Sequence, residues 1–178
     1  MKKITENLVL TIWEGFAFLF GLLAVCMCFI PAYFENGITD KSMIDIMMGD
    51  SRLGASPLLI VAFIFLIIGL LLSAGLVALL ILKKGNEKVT TILSIVSMAL
   101  TLFGSVVLAC AIFVSGLDTI NSSLGFTQGN WGIRIGYILV PVFGLLAIVC
   151  SYPAAMIILH HKDLEDKARK IAIEQECK

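Results

Sequence analysis

Charge is missing from the longest stretches of this chain: residues 15–34, 57–82, 89–117 and 135–161 contain no Asp, Glu, Lys or Arg. With 59% hydrophobic residues in 178, a soluble domain would carry more apolar surface than one core can bury, which excludes a soluble class. The chemistry-bearing motifs are absent as well. There is no phosphate-cradling glycine loop, nucleophile elbow, HExxH pair or paired intramembrane carboxylates, so a non-enzymatic protein with no cofactor and no metal is expected. No basic patch interleaved with aromatics is present, and nucleic acid is not an expected partner. Of the five cysteines, Cys26, Cys28, Cys110 and Cys150 lie inside apolar runs at no zinc or redox spacing, and they read as small hydrophobes. A Cys28–Cys110 bridge is conceivable but not expected. The two histidines, His160 and His161, are sequence neighbours whose side chains point about 100° apart on a helix, a poor start for a shared metal site.

What is present is membrane-crossing length. A helix rising about 1.5 Å per residue needs about 20 apolar residues to cross the hydrocarbon, and each run meets that. The fold class predicted is all-α integral membrane, with four transmembrane helices over approximately residues 8–34, 57–82, 89–116 and 131–161. They should form a single antiparallel up-and-down bundle. Ten of the thirteen basic residues flank the runs on one side, among them Lys2, Lys3, Lys83, Lys84 and Lys88, and only Lys41, Arg52 and Arg134 fall on the other. The positive-inside rule therefore places both termini in the cytoplasm. A cleaved signal is disfavoured: Val25 spoils the lipoprotein-like Leu23-Ala24-Val25-Cys26 box, and hydrophobicity continues to Phe34. The expected location is the plasma membrane, multi-pass, and the composition is compatible with a bacterial inner membrane.

Helix association in lipid rests on close contact between small residues at helical spacing. The first span offers Ala17, Gly21, Ala24, Cys28 and Ala32; the third offers Thr90, Ser94, Ser97, Thr101 and Gly104; the fourth offers Gly144, Ala147, Ser151 and Ala154. Alternating steps of three and four favour left-handed crossings near 20°. The second span, with Gly69, Ser73 and Leu76, is barer and should be the most lipid-exposed. The outer segment 35–56 should be a loop holding a short amphipathic helix, capped at Thr39 or Asp40 and ended by Gly49, with Met43, Ile44, Met47 and Met48 on one face. Residues 162–178 form a charged cytoplasmic tail expected to prolong the fourth helix or lie along the headgroups.

Ionisable groups inside a membrane are functional suspects. Glu14 is the acidic candidate, and the sequence favours an interfacial position for it beside Trp13. The hydroxyls of Thr90, Ser94, Ser97 and Thr101 either line a polar path or, as the commoner use, form a packing seam. Trp13, Trp131 and Arg134 are candidate interfacial anchors, and Arg134 has a sharper role open to it, clamping the outer loops through Asp118 or one of Glu35, Asp40, Asp45 and Asp50. Asn121-Ser122-Ser123 matches a glycosylation acceptor, meaningful only in a eukaryotic secretory pathway. An early glutamate in the first of four helices resembles the small multidrug-resistance transporters. The chain departs from them in its long first outer segment and tail, and their site is not carried over. Tetraspan proteins such as claudins share the helix count and a larger first outer loop, but the outer cysteine pair is missing here. The expected function is an accessory, scaffold or interaction subunit, with lipid and a membrane-protein partner or a second copy of itself as partners. The alternative is a small transporter or channel-forming subunit using Glu14 and the hydroxyl stripe.

Overall fold

The structure is a computed structural model that describes residues 2–35, 39–49, 55–82, 87–111 and 131–176. Of the tight turn expected over Lys83 to Lys88, residues 83–86 lie outside the described residues and Glu87 and Lys88 already belong to a helix; the segment with Asp118 and Asn121, and Cys177, also lie outside them. In chain order the elements are α1 (Lys2–Met27), β1 (Pro31–Glu35), β2 (Thr39–Ser42), α2 (Met43–Met48), α3 (Pro57–Ile81), α4 (Glu87–Ala109), β3 (Trp131–Ile133) and α5 (Ile135–Glu176). Four of these helices carry stretches long and apolar enough to cross a membrane: Leu8–Met27, Pro57–Ile81, Val89–Ala109 and Ile135–Pro153.

The first helix ends earlier than the apolar run does, at Met27 rather than near residue 34. Pro31 explains this, because it has no N–H to continue the ladder and it biases Ile30 away from helical dihedrals. The chain leaves instead as β1, the central strand of a three-stranded sheet in the order β2-β1-β3, with both neighbours antiparallel. The fourth helix correspondingly begins at Ile135 rather than 131, since residues 131–133 pair with Glu35, Phe34 and Tyr33. A register shift between Pro31 and Tyr33 lets two successive side chains, Ala32 and Tyr33, both turn inward. Strands β1 and β3 thus take residues expected at the ends of the first and fourth helices, and only β2 comes from the segment 35–56 expected as a loop.

Helix α2 is capped by Ser42, three residues after Thr39 and two after Asp40, the expected caps. Ser42 and Asp45 form a capping box in which the Ser42 hydroxyl accepts from the Asp45 amide at 3.2 Å and the Asp45 carboxylate accepts from the Ser42 amide at 2.8 Å. Gly49 ends the helix with φ 75°, a conformation that favours glycine. Met43, Ile46 and Met47 are buried while Met48 is exposed, so the inward face differs by one position from the expected one. That face covers one mouth of the bundle, packing with Cys28, Tyr33, Leu59 and Ala62.

The helices form a ring in which α1 neighbours α3 and α5, and α4 neighbours the same two. Contacts fix their directions. Gly69 and Gly104 of α3 and α4 approach Thr101 and Ala62 respectively, and Phe20 stacks near Phe143 while Gly136 sits against the carbonyls of Ile30 and Pro31. Each neighbouring pair is therefore antiparallel. Helix α3 is the least buried of the four long helices, as its few small residues suggested. Its inward face nevertheless keeps the steps of three and four, through Leu59, Ala62, Leu66, Gly69, Ser73 and Leu76. Along the bundle the interior changes character. Under the sheet lies an apolar cluster that includes Ala24, Cys28, Leu59, Leu66, Leu108 and Val140, whereas the half remote from the sheet buries Glu14, Ser73, Thr90, Ser94, Ser97 and Ser151.

Candidate functional site

Helix α1 turns Glu14 into the bundle, not toward headgroups: the residue is 1% exposed, while its neighbours Ile12 and Trp13 face outward at 49% and 38%. The cause is periodicity. Leu10, Glu14, Ala17, Ala24 and Cys28 are all buried, and with Gly21 between them they step by four, three, four, three and four along one stripe. Carrying the small-residue seam of the first span back by one step from Ala17 lands on Glu14, so the same periodicity in the sequence marks Glu14 as inward-facing.

Opposite Glu14 stands α4. The Ser94 hydroxyl donates to Glu14 Oε1 at 3.1 Å, and both groups are buried. Because α1 and α4 occupy opposite corners of the helix ring, this bond crosses the centre of the bundle. The rest of the α4 stripe is divided among the other helices. Ser97 Oγ donates to the Gly69 carbonyl at 2.8 Å, tying α4 to α3 through backbone. A Cβ on Gly69 would lie 2.6 Å from Thr101 Oγ, so the absence of a side chain there sets how closely the two helices approach. Thr90 is buried at the end remote from the sheet, and Ser105, nearer the sheet, packs against Gly144 of α5. Of the hydroxyl candidates, Ser94 meets the carboxylate, while Ser97 and Thr101 meet the α3 seam.

One turn from the Glu14–Ser94 contact toward the sheet, all four spanning helices leave a cavity of ≈ 10 Å³, space for about one water molecule. Its polar lining comes from Ser73, Ser97, Thr101 and Ser151, with Ala17 and Gly21 on the α1 side. Ser73 Oγ is fully buried and finds no hydrogen-bond partner among the described residues. Beyond the cavity, toward the sheet, the interior is the apolar cluster, in which Leu66, Leu108 and Val140 are 0% exposed, interrupted by the buried Ser105 hydroxyl.

Arg134 follows β3 and fastens the opposite end. Its backbone N–H donates to the Ala32 carbonyl at 2.9 Å, and its Nε lies 3.0 Å from Asp40 Oδ1 on β2, both side chains about half-exposed. Since β1 lies between β2 and β3, the guanidinium reaches across the central strand and joins the two outer ones. Tyr137, one turn into α5, donates its hydroxyl to the Ala109 carbonyl, capping the end of α4. The Trp131 backbone forms β3, and its side chain lies outside what is described. Cys26, Cys28, Cys110 and Cys150 are free thiols, so the Cys28–Cys110 bridge is not formed. Among the described residues no three His, Cys, Asp or Glu side chains come together as a metal-ligand group. Comparison with protein-family models, curated proteins and solved structures finds no match to this chain.

Proposed function

We propose that this chain is a non-enzymatic, multi-pass subunit of the plasma membrane, with both termini cytoplasmic, that binds other membrane proteins rather than moving solutes. The observation that carries this reading is the two-part interior. A conduit needs polar or hydrated lining from end to end, and here the hydroxyl-lined half is closed toward the sheet by fully buried Leu66, Leu108 and Val140. The sheet supports it from outside: three strands braced by Arg134 and Asp40 give the bundle a fixed platform for a partner. The distribution of basic residues supports the orientation. The test is paired. Affinity purification of tagged chain from native membranes should recover a stoichiometric membrane protein, and purified chain in liposomes should pass neither protons nor small cations above the rate of empty vesicles. Flux that disappears in Glu14→Gln would overturn the reading.

A second reading rests on its own observation. A buried carboxylate hydrogen-bonded across the bundle centre is the arrangement that ion-coupled transporters use, so a small transporter with Glu14 at its binding site is the alternative. It requires the apolar half to open, and the same liposome experiment separates the two.

A further inference from the structure

We propose that Glu14, Ser94 and the adjoining hydroxyl-lined cavity form an intramembrane binding site for one small monovalent cation of sodium's size. Three observations converge. The spans Leu8–Met27, Pro57–Ile81, Val89–Ala109 and Ile135–Pro153 contain a single acidic residue, Glu14, and no Lys, Arg or His. An ionised carboxylate at 1% exposure in such surroundings requires a positive partner, and no side chain of the spans supplies one. Charge balance decides the valence, because a divalent ion would leave one uncompensated positive charge in the same apolar setting.

The donor set decides the chemistry. Among the apolar side chains around Glu14 and one turn beyond it, the polar groups turned inward are oxygens: Ser94 beside the carboxylate, and Ser97 and Thr101 of α4, Ser73 of α3 and Ser151 of α5 in the cavity lining. Hard oxygen donors suit alkali and alkaline-earth ions; the thiols of Cys28 and Cys150 are not in the cavity lining, where the neutral thioether-bearing Met98 is the one sulfur side chain. Ser73 Oγ is an independent pointer. It is buried, lacks any partner among the described residues and lines the cavity, so it faces the site with an unused lone pair. The cavity volume of ≈ 10 Å³ decides the size, admitting a water or an ion of that radius and excluding an organic cation. The proposal does not depend on either functional reading, since a bound ion can hold the four helices together without crossing the bundle.

The experiment uses the full chain purified in detergent, with sodium chloride or choline chloride at equal ionic strength and constant pH. Sodium should raise the unfolding temperature in a saturable manner in the wild type. In Glu14→Gln the sodium response should vanish, and in Ser73→Ala the half-saturating sodium concentration should rise several-fold. Should Glu14→Gln fail to fold, the wild type still decides. A hydrophobic carbodiimide should modify Glu14, detected by peptide mass spectrometry, and sodium but not choline should slow that modification at least threefold. Identical unfolding temperatures in the two salts together with sodium-independent labelling would overturn the proposal. So would labelling that responds to pH alone, which would make the site one for a proton.

Discussion

Replacing Gly144 by alanine should be among the most damaging single-methyl additions in this molecule, and a second substitution should undo it. A Cβ built on Gly144 falls 1.9 Å from Ser105 Oγ and 2.7 Å from Ser105 Cβ, against about 3.5–4.0 Å for relaxed carbon contacts. Rotating the serine side chain moves its hydroxyl away but leaves its Cβ in place, so α4 and α5 must separate. Overpacking of this kind typically costs about 1–3 kcal/mol, and with a β-carbon in the way the upper end is expected. The next atom of Ser105 is its Cα at 3.8 Å, an ordinary contact. Ser105→Gly therefore clears the obstruction, and it forfeits no hydrogen bond because Ser105 Oγ has no partner among the described residues. Its own penalty is about 1 kcal/mol, the helix propensity of glycine. In a double-mutant cycle, read by reversible denaturation in mixed detergent micelles, the double variant should recover about 3 kcal/mol relative to the sum of the singles, the relieved overpacking, because the glycine penalty is common to both. Additivity within about 0.5 kcal/mol would refute the direct Gly144–Ser105 contact.

The remaining expectations concern the sheet-bearing end. Ser42→Ala removes one half of the α2 capping box and should lower stability by about 1 kcal/mol in the same assay, with Ser42→Asp restoring most of it. Arg134→Ala should cost less than about 1 kcal/mol, and less still in high salt, because the pair with Asp40 is half-exposed; a larger, salt-independent loss would show that the guanidinium holds more than this ion pair. Gly136→Ala places a methyl 2.7 Å from the carbonyl oxygens of Ile30 and Pro31, which are backbone and cannot rotate away, so it should impair folding more than Gly15→Ala, where the added Cβ meets nothing within 4 Å. Asp40→Cys should react with a membrane-impermeant maleimide added to intact cells, and protection until the cells are opened would reverse the proposed orientation.

The spans were legible because each needs only length and apolarity, and lipid imposes both without regard to partners. The inward stripe of α3 was half-read: Gly69 and Ser73 stood out as small, but Leu59 and Leu66 belong to the same stripe and are indistinguishable by type from leucines facing lipid. The strands were missed for a different reason. Pro31-Ala32-Tyr33-Phe34 continues an apolar run and shows no alternation, since the register shift turns two successive residues inward, and its partner 131–133 is too short to show a pattern. For the candidate site, residue type marked Glu14, Ser94 and Arg134 as unusual. The pairing of Glu14 with Ser94 and the isolation of Ser73 depend on how the helices are ordered around the ring, which local sequence does not encode.

The central position of β1 constrains the order in which the molecule can be completed. Its two edges are satisfied on very different schedules, because β2 follows within a few residues while β3 is made only after roughly a hundred more. During synthesis one row of backbone donors and acceptors on β1 must wait, open to any passing extended segment, until the last hydrophobic helix enters the bilayer. Final closure therefore belongs to α5, which arrives with β3 at its head and Gly136 shaped to slide beneath Ile30 and Pro31. A ribosome stalled or a chain cut before residue 131 would leave an intermediate with three of the four long apolar helices and a sticky seam, a natural target for chaperones and quality-control proteases.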